Sequence, residues 1–130
     1  MGKLLAIDYG EKRVGIAVSD EEQHFAFERG IWPAEDFFKK ITGFINEEQI
    51  EKIILGYPLT VSGQHSKKTD EVVQFKEKLQ TAAGVPVELI DERFSSQVAA
   101  GMAGSSKNID SLAALVILEN YIQFKLNNQN

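Results

Sequence analysis

The hydrophobic pattern opens with two short apolar runs on either side of a tight polar connection. Residues 4–7 and 14–18 are apolar and mostly β-favouring, whereas residues 9–13 read Tyr-Gly-Glu-Lys-Arg. Two such runs joined by so short a connection predict a β-hairpin. Gly10 can adopt the positive φ that such a turn often needs.

Asp8 ends the first strand of this predicted hairpin. Side chains alternate between the two faces of a strand, so Asp8 shares a face with Leu4 and Ala6. A carboxylate beside apolar neighbours is costly unless a partner compensates its charge, which makes Asp8 a candidate site residue. A turn-capping aspartate is the competing interpretation, and an Asp-x-Gly turn is too weak a motif to decide between them.

Strand and helix patterns alternate along the rest of the chain. The further strand patterns cover residues 25–31, 52–57 and 85–90. The helical patterns cover about residues 34–47, 68–82, 95–102 and 109–126. Trp32 and Pro33 are expected to break the third strand, with Pro33 opening the first helix. This order predicts an α/β fold in which a mixed five-stranded sheet, an antiparallel meander plus parallel strands, carries helices on both faces.

Asp110 stands at the start of the last predicted helix. The residues that share its helix face are Ala113, Ala114, Ile117 and Tyr121. This apolar face is the one expected against the sheet, so Asp110 is expected to point inward at the first turn. A helix N-cap is the competing interpretation, because aspartate is common in that position.

Asp91 and Glu92 directly follow the last predicted strand, at the kind of sheet edge where sites gather in α/β proteins. Only one of them can point inward, and alternation alone does not say which. The longer side chain favours Glu92, with Asp91 as a capping or supporting group. The alternative is a solvated loop in which Arg93 forms a surface ion pair.

Together, Asp8, Glu92 and Asp110 come from two strand ends and one helix start, which can converge on one edge of the sheet. Carboxylate oxygens of this kind bind Mg²⁺ or Mn²⁺, with waters and substrate phosphates completing the coordination shell. Two such ions can activate a water and stabilise the leaving oxygen in phosphodiester hydrolysis. The three acids are therefore the predicted catalytic and metal-binding residues.

Composition narrows the class of protein. A chain of 130 residues suits one domain, residues 1–130, with a real core. The net charge of −5 argues against a module that coats nucleic acid by bulk charge, but local cations and metal ions still allow a nuclease. The chain has no cysteine, no apolar run long enough to span a membrane and no signal-peptide pattern. A cytoplasmic protein without a membrane partner is expected.

Four motifs, in order along nearly the whole chain, resemble those of the bacterial YqgF family, also called RuvX. They are residues 8–20, residues 56–59 with Ser62-Gly63, residues 91–96 and residues 109–114. The resemblance implies a ribonuclease H-like fold with an acidic metal site at Asp8, Glu92 and Asp110. It further implies a nuclease that either processes the 5′ end of pre-16S rRNA or resolves four-way DNA junctions.

Cations near these motifs are candidate phosphate contacts. They are Arg13, Arg93, Lys67, Lys68 and Lys107, with Lys12 beside the first of them. Arginine suits bidentate phosphate binding, although each cation could instead be an ordinary surface charge. The expected partner is pre-16S rRNA within a ribosomal precursor particle rather than branched DNA, because short loops with few cations offer a small phosphate footprint. Junction resolution needs two active sites, and the sequence leaves the oligomeric state open.

Two interpretations from other classes remain. An Asp-x-Gly turn before a second strand also occurs in ATPase-type modules such as sugar kinases, although 130 residues do not provide the second domain they need. The other interpretation is a non-catalytic domain of the same fold that binds nucleic acid or protein.

Overall fold

The computed structural model describes residues 2–10, 12–57, 67–91 and 109–127, and only the backbone of Tyr57, Asp91 and residues 67–69 and 109–111. The strands are β1 Lys3–Asp8, β2 Arg13–Ser19, β3 Ala26–Pro33, β4 Ile50–Tyr57 and β5 Val87–Asp91. The helices in these ranges are α1 Ala34–Glu48, α2 Lys67–Ala83 and α3 Ile109–Asn127. The short helix expected at residues 95–102 lies outside the described residues.

The strands form one five-stranded sheet in the order β3-β2-β1-β4-β5. β1 pairs antiparallel with β2, and β2 pairs antiparallel with β3. β1 and β4 are parallel, as are β4 and β5. This is the mixed sheet that the sequence predicted.

Two apolar layers sit on opposite faces of the sheet. Alternate residues of β1, such as Leu5 and Ile7, pack against α1 and α2. The intervening residues Leu4 and Ala6 pack against α3. The prediction of helices on both faces is therefore confirmed, and no helix within the described ranges is long and apolar enough to cross a membrane.

The third strand differs from its prediction because it continues through Trp32 and Pro33. Trp32 packs its ring against Phe37 and Phe44, with ring centroids 5.8 and 5.0 Å apart, which holds the strand end on α1. Pro33 lacks an N–H group, but β3 is an edge strand, where that loss is tolerated. Pro33 still precedes α1 directly, as the sequence predicted.

Gln23 ties the β2–β3 turn to both ends of the described chain. Its side-chain Nε2 donates a 2.7 Å hydrogen bond to the carbonyl oxygen of Gly2. Its Oε1 accepts a hydrogen bond from Lys125 Nζ near the end of α3. Gln23 is buried and has a positive φ of 60°, which is uncommon for a residue other than glycine. The C-terminal end of α3 is thereby fixed at the edge of the sheet where β1 begins.

Glu48 joins the end of α1 to β1 and β3. Arg29 Nη1 lies 3.0 Å and Lys3 Nζ 3.3 Å from its Oε1, and its side chain is 18% exposed. The hydrogen bond from Arg29 is the largest cause that lowers the pKa of this carboxyl, and the Lys3 hydrogen bond adds to it. A lowered folded-state pKa stabilises the fold above the unfolded-state pKa, and this contribution is lost as the pH falls through the folded-state value.

We expect Glu48→Gln to lower the free energy of unfolding at pH 7 by up to about 1 kcal/mol, since the network is partly exposed. The difference from the wild type should shrink below a pH of about 4.5, where the unfolded-state carboxyl takes up its proton. Urea unfolding at pH 7 and at acid pH measures both values, with Glu47→Gln on the exposed side of α1 as the control. A difference independent of pH would contradict the ion-pair account.

Candidate active site

The three parallel strands end at the same edge of the sheet. Ile7, Leu55 and Leu89 form one row across β1, β4 and β5. Asp8 is the next residue after this row on β1, and Asp91 is the second residue after it on β5. The backbones of two strand-end acids therefore lie at one edge, with β4 between them.

Asp8 lies on the face of the sheet that α3 covers. It is partly buried and pairs with Gly15 of β2. Leu4 and Ala6, its neighbours on that face, are buried in the α3 layer. Asp8 therefore lies on the same face of the sheet as Leu4 and Ala6, as the sequence predicted.

The same alternation of side chains continues along β5. Ile90 packs against the α3 layer, whereas Leu89 packs against the layer under α1 and α2. Glu92 follows Ile90 by two positions in the sequence. It lies outside the described residues, so its inward orientation stays a prediction. The backbone of Asp91 is described as the last residue of β5.

Helix α3 runs in the opposite direction to β1. Lys52, which pairs with Leu4 near the start of β1, donates a 2.7 Å hydrogen bond to the Tyr121 hydroxyl. Asp110 precedes Tyr121 by 11 residues, about 16 Å along a helix. Asp8 follows Leu4 by 4 residues, about 13 Å along a strand. The first turn of α3 is therefore level with the end of β1, on the same face of the sheet.

Small residues allow α3 to approach the sheet closely. Ala114 on α3 and Ala6 and Ala17 on the sheet are fully buried in one layer. Ala113, Ile117 and Tyr121 are also buried, so the predicted inward face of the helix is confirmed. Asp110 is the second residue of α3, within its first turn rather than before it.

We expect Ala114→Leu to lower the free energy of unfolding by about 1–3 kcal/mol, because the extra carbons have no space in a fully packed layer. It should also lower catalytic activity, since it moves the first turn of α3 away from Asp8. Urea unfolding and an activity assay measure the two effects. The control is Asn120→Leu on the exposed side of the same helix, and an equal cost for both variants would contradict this packing.

The turn that follows Asp8 carries two cations. Lys12 and Arg13 are exposed, and the Lys12 carbonyl accepts a 2.9 Å hydrogen bond from the Ala34 amide. Gly10 does not use a positive φ in this turn. It is required for space instead, because a Cβ atom there would lie 2.4 Å from the Arg13 carbonyl oxygen.

For the remaining predicted phosphate contacts, the structure describes at most the backbone. The backbones of Lys67 and Lys68 begin α2, whereas Arg93 and Lys107 lie outside the described ranges. Among the side chains that the structure does describe, no group of three or more His, Cys, Asp or Glu could hold a metal ion. Of the three predicted ligands, Asp8 alone has a described side chain.

A cavity on the other face of the same edge was not predicted from the sequence. It has a volume of about 240 Å³ and is lined in part by Tyr9, Phe38 and Glu71. Glu71 shares a helix face with Phe75, a spacing visible in the sequence, but a helical pattern does not reveal that one of its carboxylate oxygens is buried.

Comparison with known proteins places the chain among nucleases. The profile of a family described as "RuvX: Holliday junction resolvase" matches residues 2–124. A protein of Maridesulfovibrio salexigens named "Putative pre-16S rRNA nuclease" is 36% identical over 131 residues, covering 92% of this chain and 97% of the relative. A protein of the same name from Chlorobium phaeobacteroides is 37% identical over 132 residues, covering 93% and 92%.

A solved structure shows the same architecture. The structure described as "T. thermophilus RuvC in complex with Holliday junction substrate" matches with a TM-score of 0.64 at 12% identity, covering 95% of this chain and 96% of that chain. At this identity the likeness concerns the fold alone. It confirms the ribonuclease H-like fold that the sequence motifs implied.

Proposed function

Because the chain belongs to the RuvX family of Holliday junction resolvases, we propose that it is a metal-dependent endonuclease that processes the 5′ end of pre-16S rRNA. Its curated relatives carry the name of a pre-16S rRNA nuclease over almost their whole length. The observation that carries the proposal is that β1 and β5 end at one edge of the sheet, with the first turn of α3 level with the end of β1.

Asp8, Glu92 and Asp110 are the proposed catalytic carboxylates and metal ligands. Asp8 and the first turn of α3 are on the same face of the sheet. Ile90 of β5 packs on that face, and Glu92 follows it by two residues in the sequence. The proposed role of Asp91 is that of a capping or supporting group beside Glu92. A donor set made only of carboxylate oxygens fits Mg²⁺ or Mn²⁺.

When bound, Mg²⁺ or Mn²⁺ supplies the positive charge that activates a water and stabilises the leaving oxygen of the phosphodiester, in a two-metal site. Asp8 and Asp110 would hold the ions from the rigid strand and helix, which keeps the reacting groups in place before the substrate arrives. Arg13, exposed on the turn beside Asp8, would bind a neighbouring phosphate through its bidentate guanidinium group.

Lys67, Lys68, Arg93 and Lys107 are proposed as further phosphate contacts. Lys67 and Lys68 begin α2, the helix that follows β4 in the chain. The 19 acidic residues outnumber the 14 basic ones, and a net charge of −5 does not suit a wide phosphate footprint. This favours an RNA presented by a ribosomal precursor particle in the cytoplasm over a free four-way DNA junction, whose resolution also needs a paired subunit.

Two substrates compared at equal salt test this choice. One is a precursor rRNA within its ribosomal particle, and the other is a synthetic four-way DNA junction. We expect Mg²⁺- or Mn²⁺-dependent cleavage of the rRNA near its mature 5′ end and no paired nicking of the junction. Symmetric nicking of the junction with an intact rRNA would overturn the proposal in favour of a resolvase. Binding of both substrates without cleavage of either would favour a non-catalytic domain.

A further inference from the structure

The start of β3 exposes two aromatic side chains beside an unpaired side of the strand. Phe25 is 67% and Phe27 53% exposed, although most large apolar side chains in the described ranges are buried. Within the part of the chain that the structure describes, β3 pairs with β2 alone. An outer strand with exposed apolar side chains is a template on which a further strand can pair. We call residues 25–28 the β3 flank.

The hydrogen-bond pattern shows which backbone groups of the β3 flank point outward. The Asp20 amide donates a 3.1 Å hydrogen bond to the Phe25 carbonyl oxygen, and Phe27 pairs with β2 two residues further along the ladder. In an antiparallel pair, hydrogen-bonded residues alternate with residues whose N–H and C=O groups point away from the partner strand. The N–H and C=O groups of Ala26 and Glu28 therefore point away from β2.

The α3 side of the β3 flank has an open cavity with apolar walls. Its volume is about 580 Å³, and its lining includes Phe25, Ala26, Phe27 and Ile122. The exposed acid Glu119 also lines it. This cavity is suited to apolar side chains, with a carboxylate at hand for a basic one.

The α1 side of the β3 flank has a second open cavity, and this one is acidic. Its volume is about 480 Å³, and Phe27 lines it as well. Its acidic residues are Asp20, Glu21 and Glu22. The two cations in the lining, Lys3 and Arg29, both pair with Glu48, at 3.3 and 3.0 Å. A group bound in this cavity would therefore meet an excess of carboxylates.

We propose that the β3 flank binds an extended basic segment of a partner protein as an additional strand, in which basic and apolar side chains alternate. The side chains of an added strand point alternately to the two faces of the sheet. One set would enter the apolar cavity on the α3 side, and the other set would meet the carboxylates on the α1 side. Main-chain hydrogen bonds to Ala26 and Glu28 would hold the segment in register.

The β3 flank is separate from the proposed catalytic carboxylates. Through Val18, Phe27 is level with Leu5 of β1. Asp8 lies three residues further along β1, about 10 Å along a strand, and β2 lies between β3 and β1. A segment on the outer side of β3 would leave Asp8 uncovered. The proposed docking therefore goes beyond the nuclease function and does not depend on it.

Charge and size disfavour two other occupants of the β3 flank. A nucleic acid would bring its phosphates against the carboxylates on both faces of the sheet. A second copy related by a twofold axis would bring the same carboxylates face to face. Arg29 is an extra residue between two pairs of the ladder, so the regular flank ends at Glu28. So short a strand is far from the roughly 1,200–2,000 Å² that a stable interface buries.

Binding of short synthetic peptides tests the inference. One labelled peptide alternates lysine with valine, and its control alternates glutamate with valine. We expect the lysine peptide to bind at least about tenfold more tightly, because only its charge complements the flank. Phe27→Ser should weaken this binding about tenfold, since it removes the ring that lines both cavities. The matched control is Phe38→Ser, an exposed aromatic residue on α1, which should bind as the wild type does.

Hydrogen exchange of the wild type distinguishes strand addition from general attraction between charges. The bound lysine peptide should slow exchange at the amides of Ala26 and Glu28, the two that point outward, whereas an unspecific complex leaves them unprotected. This measurement needs no variant, so it also decides the matter if Phe27→Ser does not fold.

Three further outcomes would overturn the inference. The first is equal affinity for the two peptides or unchanged binding in Phe27→Ser. The second is protection of the Ala26 and Glu28 amides by a short single-stranded RNA alone, which would assign the β3 flank to nucleic acid. The third is a wild-type dimer in sedimentation that Phe27→Ser dissociates, which would assign it to a second copy of the chain.

Discussion

Replacing Asp8 by asparagine should abolish cleavage while leaving the fold intact. Ions held at the proposed site would contribute several kcal/mol to the transition state, and each 1.36 kcal/mol is a factor of ten in rate, so we expect a loss of about 10³-fold or more. Clustered carboxylates repel one another until a cation binds. Without metal, the melting temperature of Asp8→Asn should therefore equal or exceed that of the wild type.

The measurement is a single-turnover cleavage rate together with a thermal melt in chelator. Asp36→Asn is the matched control, because Asp36 lies on α1 and its carboxylate is 4.0 Å from Lys39 on the surface of that helix. That control should cleave at the wild-type rate. Full activity in Asp8→Asn would show that Asp8 only caps the hairpin turn.

Replacing Asp110 by asparagine separates a metal ligand from a residue that only stabilises the first turn of α3. The substitution keeps a polar side chain of the same size and removes the charge. The loss of a negative charge in the first turn of α3 should cost at most about 1 kcal/mol. Cleavage should fall about 10³-fold, as for Asp8→Asn, if Asp110 holds a catalytic ion.

Asp110→Ala provides the second arm of this experiment. Alanine removes the polar side chain as well, so a purely structural role in the first turn predicts a loss of up to about 1 kcal/mol of stability for Asp110→Ala and normal cleavage for Asp110→Asn. A catalytic role predicts that both variants lose cleavage to the same extent. Urea unfolding and single-turnover rates on the same preparations distinguish the two roles.

The alternation in β1 was enough to predict much of this edge of the sheet. Leu4 and Ala6 lie on one face, Leu5 and Ile7 on the other, and both faces are buried as expected for a central strand. The period of a strand is two residues, so Asp8 could be assigned to a face before the structure was known. The parallel crossovers followed from the order of strands and helices.

Helix α3 shows where periodicity stops being informative. Leu112, Val116 and Leu118 are buried in addition to the predicted stripe. α3 packs against several strands of the sheet, so it buries a broad face and lacks a clear polar side. The direction of α3 relative to β1 is evident from two long-range contacts, Lys52 with Tyr121 and Lys125 with Gln23. No local sequence pattern can predict such contacts.

The need for glycine in the β1–β2 turn and the cavity next to Tyr9 both result from how close neighbouring atoms lie, which the sequence pattern does not show. Gly10 is required because of the close Arg13 carbonyl, not because of its φ angle. The buried Oε2 of Glu71 depends on how α2 meets Tyr9 and Phe38. A helical pattern reports which residues share a face, but it does not report which polar atoms lose contact with water.

Binding of Mn²⁺ to the protein tests the central claim most directly. Titration calorimetry of the wild type should give weak binding, in the millimolar range when few protein oxygens face a hydrated ion, and tighter binding when an RNA substrate is present. Asp91→Asn should bind as the wild type does, whereas Asp8→Asn and Glu92→Gln should lose most of the heat. Absence of binding to the wild type with and without RNA, or equal binding by all four proteins, would contradict a carboxylate metal site at this edge of the sheet.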